Sequence, residues 1–261
     1  VGVNKPTGTG NWQSEETEYW TTGNAYEFGA YANGTSQLTS GVSFSSTDKK
    51  LTFTNYEAGA NDLIASTASV QAKTDLTNVD PVPFTFKHML AKVKFTFKTT
   101  ATDYTMKVEN LQINNAIKTC TGSYTGGTPT ITWETASATA TSSAAYVYAD
   151  IANYATTGSA STDACYVIPQ SVPADANQIT VTFKVTASGD AISSGSKSAT
   201  FTANLKTSGN KWTENYSYNY IFTINPDDVD GTLKPIEFTV TEVDGFEDDT
   251  DITDVVPSVQ P

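Results

Sequence analysis

Apolar residues recur at every second position along much of this chain, and no segment sustains a 3.6-residue period. In "QITVTFKVTA", Ile179, Val181, Phe183 and Val185 share one parity, while Thr180, Thr182, Lys184 and Thr186 share the other. "SATFTANLKT" repeats the scheme with Phe201, Ala203 and Leu205, and "NYSYNYIFTIN" aligns Tyr216, Tyr218, Tyr220, Phe222 and Ile224. Ile236, Phe238 and Val240 follow in "PIEFTVTEV"; nearer the start stand Tyr26 and Phe28, then Leu51 and Phe53. This alternation predicts strands with one dry and one wet face.

Two stretches change parity midway. In "PFTFKHMLAKVKFTFKTT", Phe84, Phe86 and Leu90 are even, but Val93, Phe95 and Phe97 are odd. A strand shifts its buried face only by taking in an extra residue or by bending across to a second sheet. His88 and Met89 sit at that break. "MKVENLQI" does the same, with Met106 and Val108 even and Leu111 and Ile113 odd.

Between the strands lie polar, Gly-rich stretches such as "YANGTSQ", "TGGTP", "YATTGSASTD" and "TASGDAISSGSKS", which suit surface connections. Strands so spaced, without helices between them, predict an all-β sandwich architecture. At 261 residues the chain is comfortable for two domains. A boundary near residues 122–130 gives an N-terminal domain over 1–125 and a C-terminal domain with an acidic tail over 126–261.

Composition sharpens this picture. Ser and Thr make up about a quarter of the chain, as the wet faces of strands require. All 15 basic residues are Lys and oppose 28 carboxylates, for a net charge of −13. Such a surface repels nucleic acid and anionic lipid, so neither is expected as a partner. No apolar run is long enough to span a membrane as a helix. Cys120 and Cys165 either form one bridge in an oxidising compartment or remain separate buried thiols.

Four segments together resemble the fimbrillin-like proteins, the type V pilus subunits of Bacteroidales. "FTFKHMLAKVKFTF" is similar to that family's Phe-x-His-x-Leu-Ala-Lys-Val-x-Phe strand motif. "YVIPQ" at 166–170, "KWTENYSYNYIFTI" at 211–224 and "IEFTVTEVDGFEDD" at 236–249 follow in the family's order. Phe246 stands where the family often has Trp. The resemblance implies two tandem transthyretin-like β-sandwich domains. It also implies export as a lipoprotein precursor to the outer membrane, and cleavage after an Arg that opens a groove. A strand from a neighbouring subunit would then fill that groove, so the implied partners are other fimbrial subunits and, at a tip, a host or bacterial surface protein or glycan. The resemblance brings no enzymatic activity and no cofactor.

Candidate chemistry is sparse. His88 is the chain's one histidine, and its sequence neighbours Lys87 and Met89 offer neither acid nor nucleophile, so it is read as framework. Glu237 with Glu242, or Glu214 with Asp244, are carboxylate pairs of the kind a glycosidase needs, but so many surface acids make accidental pairs common. The acidic runs at 225–231 and 244–254 lack calcium-loop spacing and are read as solvated loops. Trp20 and Trp212, if exposed, suit stacking on a sugar, which keeps a carbohydrate-binding surface lipoprotein as the alternative function. The final "DITDVVPSVQP" carries Ile252, Val255, Val256 and Val259 as anchors for strand addition to another subunit, with a frayed terminus the equal alternative.

Overall fold

The computed structural model describes residues 3–4, 13–14, 19–76, 80–101, 104–142, 144–154, 159–172, 179–189, 195–225, 228–229 and 238–244. Strands dominate them, and only residues 228 and 229 are helical.

Strands β1 (Val3–Asn4) and β2 (Gln13–Ser14) pair near the N-terminus. There follow β3 (Tyr26–Asn33), β4 (Val42–Ser45), β5 (Lys50–Glu57), β6 (Leu63–Val70) and β7 (Lys87–His88). The middle of the chain supplies β8 (Ala91–Lys98), β9 (Tyr104–Asn114), β10 (Thr119–Thr125) and β11 (Thr130–Trp133). Short strands β12 (Tyr146–Val147), β13 (Ile151–Tyr154), β14 (Ser159–Ser161), β15 (Cys165–Val167) and β16 (Gln170–Ser171) come next. The last are β17 (Thr180–Gly189), β18 (Ser196–Asn204), β19 (Lys211–Trp212), β20 (Tyr216–Thr223) and β21 (Phe238–Asp244).

Pairing sorts these strands into two layered units. In the first, the sheet β3-β6-β7 faces the sheet β11-β10-β5-β4. The Tyr31 ring meets Phe53 edge-on at 5.6 Å across that interior, and a Cβ on Gly29 would strike Phe44 at 2.7 Å. In the second unit, β14 and β15 flank β8, followed by β20 and β21; this sheet faces one built from β12 and β13, β9, β17 and β18. Phe97 and Phe222 of one sheet both meet Phe183 of the other at 5.0 Å. One continuous apolar cluster runs through both units. Each fully buried Phe in it contributes roughly 1.5–3 kcal/mol.

The alternation of β17 is realised in full: Ile179, Val181, Phe183 and Val185 are buried and the Thr and Lys positions between them are not. Both parity changes have a structural cause. At residues 88–91 the chain leaves the sheet of β6 and β7 and enters that of β8, so Met89 and Leu90 are buried where the two units meet. In β9 the cause is a bulge: Thr182 pairs with Gln112 but Lys184 with Glu109. Asn110 absorbs the extra residue with φ of +55°. The expectation fails at Phe84 and Phe86, which precede β7 outside any strand; Phe86 is 42% exposed. A position before the crossing has no opposing sheet to bury it.

A division at 125/126 falls in the turn joining β10 to β11, two strands paired from Gly122–Trp133 to Thr125–Thr130. The first unit therefore takes in residues 119–133 after the chain has already built β8 and β9 in the second.

Candidate functional site

Asp62 ends the loop before β6, and β7 pairs with β6 at Ile64 and Ala65. This register brings His88 Nδ1 to 2.7 Å from Asp62 Oδ2. The carboxyl is largely buried, and its Oδ1 has no hydrogen-bond partner among the described residues. Burial pushes the Asp62 pKa up, opposed by the charges of His88 and Lys92. The acid missing from the sequence neighbourhood of His88 is thus supplied 26 residues earlier. A nucleophile would complete a catalytic set, yet the hydroxyls that sense Asp62 are those of Tyr166, whose pKa burial raises, and of Tyr56, whose pKa burial drives far upward. The Tyr56 hydroxyl already donates to Asn33 Oδ1 at 2.8 Å. The arrangement fastens the 58–62 loop to the strand entering the crossing. A cleft of about 250 Å³ beside this loop is lined by polar groups including Asn33, Tyr56, Glu57, Asn61 and Lys118.

The aromatic candidates separate. Trp212 is 1% exposed and its indole N–H donates to Tyr220 Oη at 3.1 Å inside the core, so no face of its ring is open to a sugar. Its ring shares the buried core with Tyr218 and Tyr220. Trp20 is half-buried and packs edge-on against Tyr26 at 4.9 Å and Phe28 at 5.9 Å. Tyr26 and Phe28 stand on the face of β3 turned away from Phe53, and neighbouring Tyr19 is 84% exposed.

Cys120, buried, and Cys165, half-buried, are both free thiols, so of the two alternatives the structure has the separate thiols. They lie in different units, Cys120 on β10 and Cys165 on β15, and burial raises the pKa of each. Among the described residues, no three His, Cys, Asp or Glu side chains gather as metal ligands. Ile252, Val255, Val256 and Val259 lie outside the described residues, as do Glu237 and the side chains of Glu242 and Asp244. No described helix is long and apolar enough to cross a membrane.

What remains is edge. Among the described residues β3 pairs with β6 on one side and makes only the Asn33–Ser36 bridge elsewhere, leaving an eight-residue strand at the border of its sheet. β18 and β21 border the second unit. β18 is guarded: Lys197 shares the parity of buried Phe201, and an inward lysine discourages edge-to-edge pairing.

A family model for fimbrillin-like proteins matches residues 2–242. No curated protein matches the chain. Among solved structures, it is similar to a candidate cell adhesion protein of Bacteroides uniformis at 19% identity and a TM-score of 0.46, covering 84% of this chain and 72% of that one. A second, from Bacteroides fragilis, shares 13% identity with a TM-score of 0.39 over 78% of this chain and 65% of its own. A third, from Parabacteroides distasonis, shares 14% with a TM-score of 0.36 over 71% of this chain and 65% of its own. This chain therefore spans about two thirds of the length of the latter two. These likenesses are too loose to bear on function.

Proposed function

The chain belongs to the fimbrillin-like family, and on that premise we propose that it is a fimbrial subunit or tip adhesin of the cell surface. The family match over residues 2–242 carries this reading. Its work is assembly, not catalysis: after export as a lipoprotein precursor and proteolytic processing, subunits join by β-strand exchange. The border of β3 that no described strand pairs offers a row of main-chain donors and acceptors of the kind strand addition uses. Ile252, Val255, Val256 and Val259 are the anchors of the donated strand, and the partners are other fimbrial subunits. The two-domain organisation belongs to the same proposal, with the units drawn along the two sheet pairs.

Arg-specific proteolysis of the full precursor tests this. Polymers visible by electron microscopy are expected, and replacing the four anchors with Asp should leave processed chains monomeric. Processed chains that stay monomeric with the native tail would remove the stalk role.

The Trp20–Tyr26–Phe28 cluster favours one alternative, a surface carbohydrate-binding protein. Glycan binding that is lost in Trp20→Ala but kept in Phe86→Ala would support it. No binding across a glycan array would dismiss it.

A further inference from the structure

Asn33–Gly34, where β3 ends, is the chain's one Asn-Gly pair. Glycine has no Cβ to shield its amide nitrogen, so that nitrogen reaches the preceding carboxamide more easily than any other residue's. The corner demands both residues. Ser36 N–H donates to Asn33 O at 2.9 Å, closing a four-residue turn with Gly34 at φ of +54°, in the left-handed region. A Cβ on Gly34 would also meet Asn61 Oδ1 at 2.7 Å. Position 33 in turn needs a neutral acceptor. Asn33 is buried, and its Oδ1 accepts from the Tyr56 hydroxyl at 2.8 Å, within the field of Asp62. The fold therefore seats a reactive pair here and holds both reacting groups. Gly34 N–H, the nucleophile, donates to Asp62 O at 2.8 Å, and Tyr56 fixes the carboxamide it would attack. Asn33 also lines the cleft of about 250 Å³ beside the 58–62 loop, which is wide enough for several waters.

We propose that Asn33–Gly34 is a site of spontaneous deamidation that the folded corner keeps shut and local opening releases. In the reaction Gly34 N bonds to Asn33 Cγ and the Cγ–Nδ2 bond breaks. The amide proton leaves with Nδ2 as ammonia, giving a cyclic imide, and water then opens the ring at either carbonyl. One product carries a side-chain carboxylate; the other is an isoaspartyl link that lengthens the main chain by one carbon. Neither fits the corner. A carboxylate at position 33 would be buried in a neighbourhood that already holds Asp62 and Glu57. Lys118 is paired with Glu57 at 3.2 Å, and His88 and Lys92 answer Asp62. A longer main chain would part Gly34 N–H from Asp62 O and so shift the loop that meets His88. A chain that has once opened here thus keeps an irreversible mark of it. The site needs no partner subunit.

Peptide mass spectrometry of the full chain, held in warm, mildly alkaline buffer with and without denaturing urea, tests this. Conversion at Asn33 should run about thirtyfold slower folded than unfolded, the factor that two ordinary hydrogen bonds supply. In folded Tyr56→Phe the rate should rise about fivefold, because one of the two holds is gone. Equal rates in the folded and unfolded native chain overturn the proposal, as does an unchanged rate in folded Tyr56→Phe. Asn33→Asp supplies a second reading that needs no kinetics. Its urea midpoint should lie below the native one at neutral pH, and the gap should narrow as acid protonates the new carboxyl. A midpoint equal to the native one at neutral pH would show that the corner accepts the product, and that too overturns the proposal.

Discussion

The indole N–H of Trp133 donates to the carbonyl oxygen of Met89 at 2.8 Å, tying the last strand of the first unit to the residue where the chain crosses into the second. The same ring lies over Gly122, its register partner on β10. A Cβ at that glycine would come within 2.6 Å of the ring. Trp133→Phe should cost about 1–3 kcal/mol by leaving the Met89 carbonyl unsatisfied. Gly122→Val should cost a similar 1–3 kcal/mol by pushing the ring off its seat. Urea unfolding of both variants checks this; an unshifted midpoint in Gly122→Val would mean the ring has room to move.

Asp62 makes stability depend on pH in a definite direction. Its carboxyl holds a proton more tightly folded than unfolded, because burial raises its pKa above the ordinary 3.8. Between 3.8 and the folded value, stability therefore falls as pH rises, and the cost of the buried charge is fully present above that window. Asp62→Asn should remove this component. The difference between native and variant midpoints across the acidic range should slope accordingly, and a flat difference would contradict the assignment.

Asn110 carries the bulge of β9 in a left-handed conformation with its side chain exposed. Asn110→Gly should be neutral or mildly stabilising, since glycine accepts that φ without strain. Asn110→Val should lose about 1–3 kcal/mol, because a β-branched residue resists it. Equal midpoints for the two variants would mean the bulge migrates along the strand.

Both thiols should be countable. Under non-reducing conditions the intact mass should be that of the dithiol, and a thiol reagent near pH 8 should reach Cys120 only on unfolding. Cys165, half-buried with its pKa raised by burial, should react slowly in the native state.

Residues whose neighbours decide their fate were legible in the sequence. The dry face of β17 needed only a period of two, and the breaks near His88 and Asn110 announced themselves as parity changes. What the period does not carry is which strands meet. The Asp62–His88 pair depends on the register of β6 against β7 across 26 residues. The fate of Trp212 depended on whether its ring turned inward beside Tyr220, which alternation near a strand end leaves open. Phe84 and Phe86 continued a rhythm beyond the sheet that would have hidden them.

The parallel partnership of β8 with β20 constrains the order in which the molecule is made. Lys92 is synthesised long before Ser217, so β8 emerges with one flank waiting for a strand near the far end of the chain. Closing so large a loop is slow, and a waiting flank invites pairing with strangers. Lysines along β8 supply mutual repulsion between such nascent flanks, guarding the interval before the sheet is complete.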